Sequence, residues 1–237
     1  MTTAGRLELV AFDAADIERV AAFYRELTGW QVVRRITDWI TLQAPDGQEI
    51  AFQLVPEHRP PSWPGQERPQ QVHLDLLVDD HQAAAARALA LGATHLADGP
   101  TWITLADPAG HPIDLCQKDG HGPGVSLFAV TFDTPSAAGS ARFYSALLGM
   151  EVTYDGPEGL LISGYGKRLM FQEVAGYTAP RWPDPAHPQQ AHLDILVDDL
   201  EAGHALALEL GATLLDGDSD QFRTFADPVG HPFDLTL

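Results

Sequence analysis

The sequence predicts an α+β protein built from two tandem copies of one domain, each copy a pair of βαβββ modules. Two observations carry this prediction. Long stretches of the chain recur at an offset of 119 to 120 residues. Within each copy, hydrophobic patterning indicates a strand, a helix and three further strands, and then the same order again. A doubly wound parallel fold would need more helices than this pattern offers.

The repeat is most visible in two motifs. WPGQERPQQVHLDLLVDD (63–80) returns as WPDPAHPQQAHLDILVDD (182–199), and ADPAGHPIDL (106–115) returns as ADPVGHPFDL (226–235). A period this long indicates a duplicated domain rather than a solenoid. The glycine-rich stretch KDGHGPG is the natural connection between the copies. The predicted limits are a first domain over 1–118, a linker over 119–125 and a second domain over 126–237.

The first module begins with an apolar run over residues 7–12, which predicts a strand. Residues 16–28 carry apolar side chains at helical spacing, with Asp16 as a predicted N-cap and Gly29 as the residue that follows the helix. Three strand-like runs then lie near 30–35, 39–43 and 49–55.

The second module repeats this order. VHLDLLV (72–78) predicts a strand, Asp80 a cap for a helix over about 81–91, and Gly92 its end. Three more strands are predicted near 94–97, 101–106 and 112–117.

Composition excludes several function classes. The chain has 237 residues and a net charge of −19, which disfavours binding to a nucleic-acid backbone or to anionic lipid. Cys116 is the only cysteine, so an intrachain disulfide and a cysteine-cluster metal site are both excluded. No signal-peptide run and no stretch of about 20 apolar residues is present. We therefore expect a cytoplasmic protein without a membrane or nucleic-acid partner.

Three motifs together resemble those of the vicinal oxygen chelate superfamily: DIERVAAFYRELTGW (16–30), HLDLLVDD (73–80) and DPAGHPIDL (107–115), with their second copies. This superfamily contains glyoxalase I, extradiol dioxygenases, and fosfomycin- and bleomycin-resistance proteins. The resemblance is closest to the glyoxalase-like subgroup that is common in bacteria. It implies that each pair of modules forms a cup-shaped eight-stranded sheet around a small-molecule ligand. Fold alone does not supply the reaction.

The resemblance also implies where metal ligands would lie. The family histidine falls on His73 in the first copy and His192 in the second. The last family ligand falls on Asp114 and Asp234, where glutamate is usual and one methylene longer. These four residues are the predicted metal ligands.

Two other family positions depart from the pattern. The first-strand ligand position falls on Leu9 and Ala129, neither of which can bind a metal. The next falls on Gln53 and Gln172, whose amide oxygens are weak ligands. We predict that these two glutamines bind ligand, and that classical glyoxalase I activity is absent.

Strand alternation adds a carboxylate to each histidine. His73 and Asp75 share one face of their predicted strand, as do His192 and Asp194. With Asp114 from a neighbouring strand, this gives one imidazole and two carboxylates, to which Gln53 would add a fourth oxygen donor. Such a set suits a divalent metal such as Fe, Mn, Zn or Ni. A hydrogen-bonded His–Asp pair without metal, and plain structural packing, are the alternatives.

Long proline-rich loops, 56–71 and 175–190, join the modules within each copy. Trp63 and Trp182 occupy matching places in them and are predicted to contact ligand, because long ordered loops often act as lids. Packing of these loops onto the rim is the alternative.

Three functional hypotheses follow from these features. In the first, a metal-dependent lyase, isomerase or oxygenase uses His73, Asp75, His192 and Asp194 as catalytic residues, with Asp75 as a base. In the second, a metal-independent protein of the bleomycin-resistance type sequesters a small molecule. Metal-free catalysis is a third reading. The fused copies predict a pseudo-twofold monomer and leave homodimerisation open.

Overall fold

The structure is a computed structural model that describes residues 3–65, 67–184, 188–217 and 219–237. It confirms the predicted fold class, with the βαβββ order four times along the chain. The first two modules contain β1 (Gly5–Ala14), α1 (Ile17–Thr28), β2 (Gln31–Ile36), β3 (Trp39–Gln43), β4 (Glu49–Leu54), β5 (Val72–Val78), α2 (His81–Ala90), β6 (Thr94–Asp98), β7 (Trp102–Ala106) and β8 (Pro112–Gln117). The last two contain β9 (Ser126–Thr134), α3 (Ala137–Leu148), β10 (Glu151–Gly156), β11 (Gly159–Gly164), β12 (Lys167–Glu173), β13 (Ala191–Val197), α4 (Leu200–Glu209), β14 (Thr213–Asp216), β15 (Phe222–Ala226) and β16 (Pro232–Thr236).

Both predicted helix starts in the first copy are confirmed. The Asp16 carboxylate accepts a hydrogen bond from Arg19 N (3.0 Å), and the Asp80 carboxylate accepts one from Ala83 N (3.0 Å). Each satisfies a backbone donor that the first helical turn leaves without an intrahelical partner. Helix α1 ends before Gly29, as predicted.

The helices pack on the sheets through apolar faces. Helix α1 lies on β3 and β4, and the fully buried ring of its Tyr24 stacks on Phe52, with the ring centroids 5.2 Å apart. In the second copy, Tyr144 of α3 stacks on Phe171 of β12, with the ring centroids 5.5 Å apart. Because these aromatic groups fill the helix side of each sheet, the polar residues of the strands are left on the opposite face.

The strands form two sheets of eight strands, in the orders β14-β15-β16-β13-β1-β4-β3-β2 and β10-β11-β12-β9-β5-β8-β7-β6. The chain divides into two compact units, Phe12–Val130 and Met1–Ala11 with Thr131–Leu237. The limits of these units fall inside β1 and β9. The domain limits predicted from sequence, 1–118 and 126–237, remain a prediction.

Within each unit, the local topology positions polar residues beside one another. Strand β5 runs parallel to β8, and β7 runs antiparallel to β8 on its other side. In the second copy, β13 likewise runs parallel to β16, and β15 runs antiparallel to β16 on its other side. In the described part of the chain, no helix has the length and apolar character that crossing a membrane would require.

Candidate functional site

Strand β5 presents His73 and Asp75 on one face, as strand alternation predicts. Both residues are buried, with 6% and 8% of their surface exposed, while Leu74 and Leu76 on the other face are fully buried. A fully buried apolar face fixes the register of the strand, because a slip by one residue would exchange the two faces. The polar pair is therefore held in place by hydrophobic burial on the opposite side.

Parallel pairing between β5 and β8 brings Asp114 directly opposite Asp75. His73 Nε2 lies 3.7 Å from Asp75 Oδ1 and 3.8 Å from Asp114 Oδ2. One nitrogen or oxygen atom from each of the three residues lies within 4.8 Å of the other two. The structure thus brings together the three residues that the sequence singled out, and we call them the first cluster.

The second copy builds the same arrangement from β13 and β16. His192 Nε2 lies 3.5 Å from Asp194 Oδ1 and 4.0 Å from Asp234 Oδ2, and the three donor atoms again lie within 4.8 Å of one another. These residues form the second cluster. Burial raises the pKa of the Asp234 carboxyl, and the neighbouring His192 opposes that rise.

The spacing within both clusters differs from that of a hydrogen-bonded pair. A hydrogen bond between imidazole and carboxylate would place nitrogen and oxygen about 2.7–3.2 Å apart, whereas the four distances here are 3.5–4.0 Å. Two ligands of one tetrahedral ion are about 3.4 Å apart. The donors of each cluster therefore converge at a spacing close to that of ligands around one ion, and one imidazole with two carboxylates suits a divalent cation such as Fe or Mn.

One carboxylate of the first cluster has a partner that the sequence did not indicate. Thr104 on β7 lies opposite Asp114, and its hydroxyl donates a hydrogen bond to Asp114 Oδ1 (2.6 Å). In the second copy Thr224 lies opposite Asp234 in the same register. There, Thr224 is also hydrogen-bonded to Asp234, while Asp234 Oδ1 is buried without a hydrogen-bond partner among the described residues.

Sequence reasoning also missed the glutamines that precede the histidine strands. Gln189 is buried, and its side-chain Nε2 lies 3.4 Å from His192 Nδ1. Gln70, Gln71 and Gln190 are buried as well. The repeated PQQ text before each HLD motif was a signal that could have placed these residues near the histidines.

Gln53 and Gln172 lie on strands that contribute no residue to the clusters. Gln53 is on β4, in the sheet that does not contain His73, and its role as a fourth donor of the first cluster remains a prediction. Its side-chain Oε1 is buried and has no hydrogen-bond partner in the described ranges. In the pairing of β3 with β4, Gln53 lies opposite Trp39. Gln172 is exposed on β12. A ligand role for both glutamines remains a prediction.

The first residues of each proline-rich loop are hydrogen-bonded to the turn that precedes the last strand of the same copy. His58 Nε2 lies 3.1 Å from Ala109 O, and the hydroxyl of Tyr177 donates to Val229 O (3.0 Å). Trp63 and Trp182 are half-buried, and each precedes a cis proline. Gln66 and residues 185–187 of these loops lie outside the described residues. Ligand contact by either tryptophan remains a prediction.

The histidines of the two GHP turns are structural. His111 and His231 are almost fully buried, and their Nε2 atoms lie 2.7 Å from Asp13 O and 2.8 Å from Asp133 O. Burial lowers the pKa of His111, and also that of His58 beside it, to about 4. His58 and His111 are therefore neutral at pH 7. His111 connects the turn to β1, and His58 connects the turn to the proline-rich loop.

Replacing His58 with tyrosine, the residue at the matching place in the second copy, is expected to make the protein more resistant to acid. The pKa of His58 lies below its ordinary value of 6.5. Folding therefore favours the neutral ring, and the stability that this contributes above pH 6.5 is lost as the pH falls toward 4. Between pH 7 and pH 5 the native chain should lose about 1–2 kcal/mol more unfolding free energy than His58→Tyr.

Urea unfolding at the two pH values measures this difference. A tyrosine hydroxyl can donate to Ala109 O as Tyr177 does to Val229 O. His121→Tyr, a change in the linker, serves as the control. Equal pH dependence of the native chain and His58→Tyr would contradict the prediction.

Comparison with known proteins now identifies the family. A family model described as "Glyoxalase-like domain" matches residues 9–116 and again 129–236. The chain belongs to the glyoxalase-like domain family. Both tandem copies are members, which confirms the resemblance to the vicinal oxygen chelate superfamily. A search of curated proteins finds no match.

Solved structures share the fold of this glyoxalase-like protein across its length. Glyoxalase I from Zea mays has 17% identity and a TM-score of 0.64, with 98% of this chain and 92% of that chain covered. A putative dioxygenase from Bacillus subtilis has 11% identity and a TM-score of 0.65, with 100% and 86% covered. The cppA protein from Streptococcus pneumoniae has 13% identity and a TM-score of 0.55, with 99% and 98% covered. At these identities the similarity shows the fold alone.

Proposed function

We propose that this glyoxalase-like protein is a metal-dependent enzyme in which each cluster holds one divalent cation that binds a small molecule. The observation that supports this most directly is the spacing of the donors. In both copies the histidine Nε2 lies 3.5–4.0 Å from two carboxylates, which is longer than the distance of about 2.7–3.2 Å in a close hydrogen bond. Bringing one imidazole and two carboxylates together under burial is costly unless a cation compensates the negative charge.

The donor set departs from the arrangement that the family resemblance implies. Leu9 and Ala129 supply no ligand, but Asp75 and Asp194 each add a carboxylate next to the family histidine. All three donors of a cluster therefore come from two adjacent strands of one module. An imidazole with two carboxylates favours Fe²⁺ or Mn²⁺, and also accepts Zn²⁺ or Ni²⁺.

A bound cation would act as a Lewis acid for a substrate with two neighbouring oxygens. His73 and Asp114 would hold the ion, and Asp75 would bind it through one carboxylate oxygen and take a proton from the carbon next to the chelating oxygens through the other. His192, Asp234 and Asp194 would have the same roles in the second cluster. Proton abstraction of this kind serves a lyase or isomerase, and an oxygenase would use the same ion to bind both reactants.

Sequestration of a cationic small molecule without metal is the second candidate. The net charge of −19 and the paired carboxylates of each cluster favour a cationic ligand. In this case the carboxylates would contact the ligand directly.

Metal analysis of protein purified without an affinity tag tests the proposal. We expect about two Mn²⁺ or Fe²⁺ ions per chain, about one in His73→Ala or His192→Ala, and none in the double variant. His95→Ala removes an exposed histidine that is paired with Asp98 instead, and it should retain both ions. A double variant that binds as much metal as the native chain, or a native chain that binds none after incubation with Mn²⁺, would overturn the proposal.

A further inference from the structure

The first cluster contains a hydroxyl that is hydrogen-bonded to one of its carboxylates. We propose that Thr104 is a positioning residue for metal binding and that it holds Asp114 in the binding orientation. This inference rests on the proposed function. It assigns Thr104 a role that acts through Asp114 and does not involve contact with the ion.

The geometry around Asp114 supports this role. Thr104 is 5% exposed, and the pairing of β7 with β8 places it directly opposite Asp114. Its hydroxyl donates to Asp114 Oδ1 at 2.6 Å, a short bond of the kind made to an ionised carboxylate. With Oδ1 engaged, the carboxylate is held in one rotamer. Oδ2, which lies 3.8 Å from His73 Nε2, is then directed toward the other donors.

The second cluster contains the equivalent threonine. Thr224 is 7% exposed, occupies the matching register position and is hydrogen-bonded to Asp234. Asp234 Oδ1 is buried with no hydrogen-bond partner in the part of the chain that the structure describes, so the details of the support differ from those at Asp114. A carboxylate held in this way loses less side-chain freedom when it binds an ion. Residues that orient metal ligands typically change affinity by about 10–100-fold when they are removed.

A purely structural role for Thr104 makes a different prediction. Threonine is a good strand residue, and a buried hydroxyl needs a partner whether or not a metal binds. If that were all, removing the hydroxyl would lower the stability of the metal-free protein and leave its metal affinity unchanged. Affinity and stability must therefore be measured separately.

The test isolates each cluster in the full-length chain. His192→Ala leaves only the first cluster able to bind a metal ion. Thr104→Val or Thr104→Ser is then introduced into the His192→Ala chain. Binding of Mn²⁺ is followed by the loss of the free-ion signal in electron paramagnetic resonance, and unfolding of the metal-free variants in urea shows whether each is folded. We expect Thr104→Val to weaken Mn²⁺ binding about 10–100-fold. Thr104→Ser, which keeps the hydroxyl, should bind within about threefold of its parent, in line with the role of such orienting groups.

The second cluster supplies a parallel test. In the His73→Ala background, Thr224→Val should weaken Mn²⁺ binding, as Thr104→Val does in the other background. Unchanged affinity in a folded Thr104→Val variant, or equal losses in the valine and serine variants, would overturn the positioning role while the proposed function stands. A His192→Ala parent that binds no Mn²⁺ would instead overturn the proposed function of the first cluster and this inference with it.

Discussion

Replacing Asp107 with leucine is expected to lower the free energy of unfolding by about 3–5 kcal/mol, because it leaves several buried donors without an acceptor. Asp107 is 4% exposed, in the turn between β7 and β8. Its Oδ1 accepts hydrogen bonds from Ala109 N (2.8 Å) and His111 N (3.0 Å), and its Oδ2 accepts one from the Tyr24 hydroxyl (3.2 Å). Leucine has a similar size but accepts none of them.

The same environment explains the titration of Asp107. Burial raises its pKa to about 6, and the hydrogen bonds that it accepts limit the rise. The carboxylate is thus ionised at pH 7.5 and is stabilised chiefly by its donors rather than by a positive charge. Loss of those bonds should destabilise the unit Phe12–Val130, which contains all four residues.

Urea unfolding at pH 7.5 measures this effect. Asp107→Asn is the matched control, because an amide oxygen retains the two backbone bonds at the turn, and it should lose less than half as much as leucine. A leucine variant as stable as the asparagine variant would contradict the account.

Replacing Gly110 with alanine is expected to lower the free energy of unfolding by about 2–4 kcal/mol, from two contributions. Gly110 has a φ of +94°, a conformation that costs a residue with a Cβ about 1–2 kcal/mol. A Cβ at this position would also lie only 2.4 Å from Pro60 Cβ. Because Pro60 belongs to the loop that carries Trp63, the loop must shift to accommodate the methyl group.

A matched glycine separates these two contributions. Gly120 also has a positive φ, +72°, but an added Cβ there would meet nothing within 4 Å. Gly120→Ala should therefore show only the conformational cost, and the difference between the two variants in urea unfolding reports the contact with Pro60. Equal losses in the two variants would show that the proline-rich loop does not pack on this turn.

Local patterns in the sequence were sufficient for the elements themselves. The caps Asp16 and Asp80 lie where the sequence placed them, since a side chain that accepts a bond from its own first turn is a local interaction. Alternation likewise put His73 and Asp75 on one face, because side chains of a strand point to opposite faces at a period of two residues. The repeat carried the second of these predictions to His192 and Asp194.

Sequence alone therefore determined the tandem βαβββ modules and the residue types of both clusters. Only the tertiary structure decided the register and sheet of each strand: that Asp114 lies directly opposite Asp75, that Thr104 reaches Asp114, and that Gln53 belongs to the other sheet. Pairing of strands far apart in the chain depends on how whole modules bury their apolar faces, and a local hydrophobic period carries no information about the partner. The burial of His111 has the same origin, since its partner, Asp13 O, lies 98 residues away in the chain.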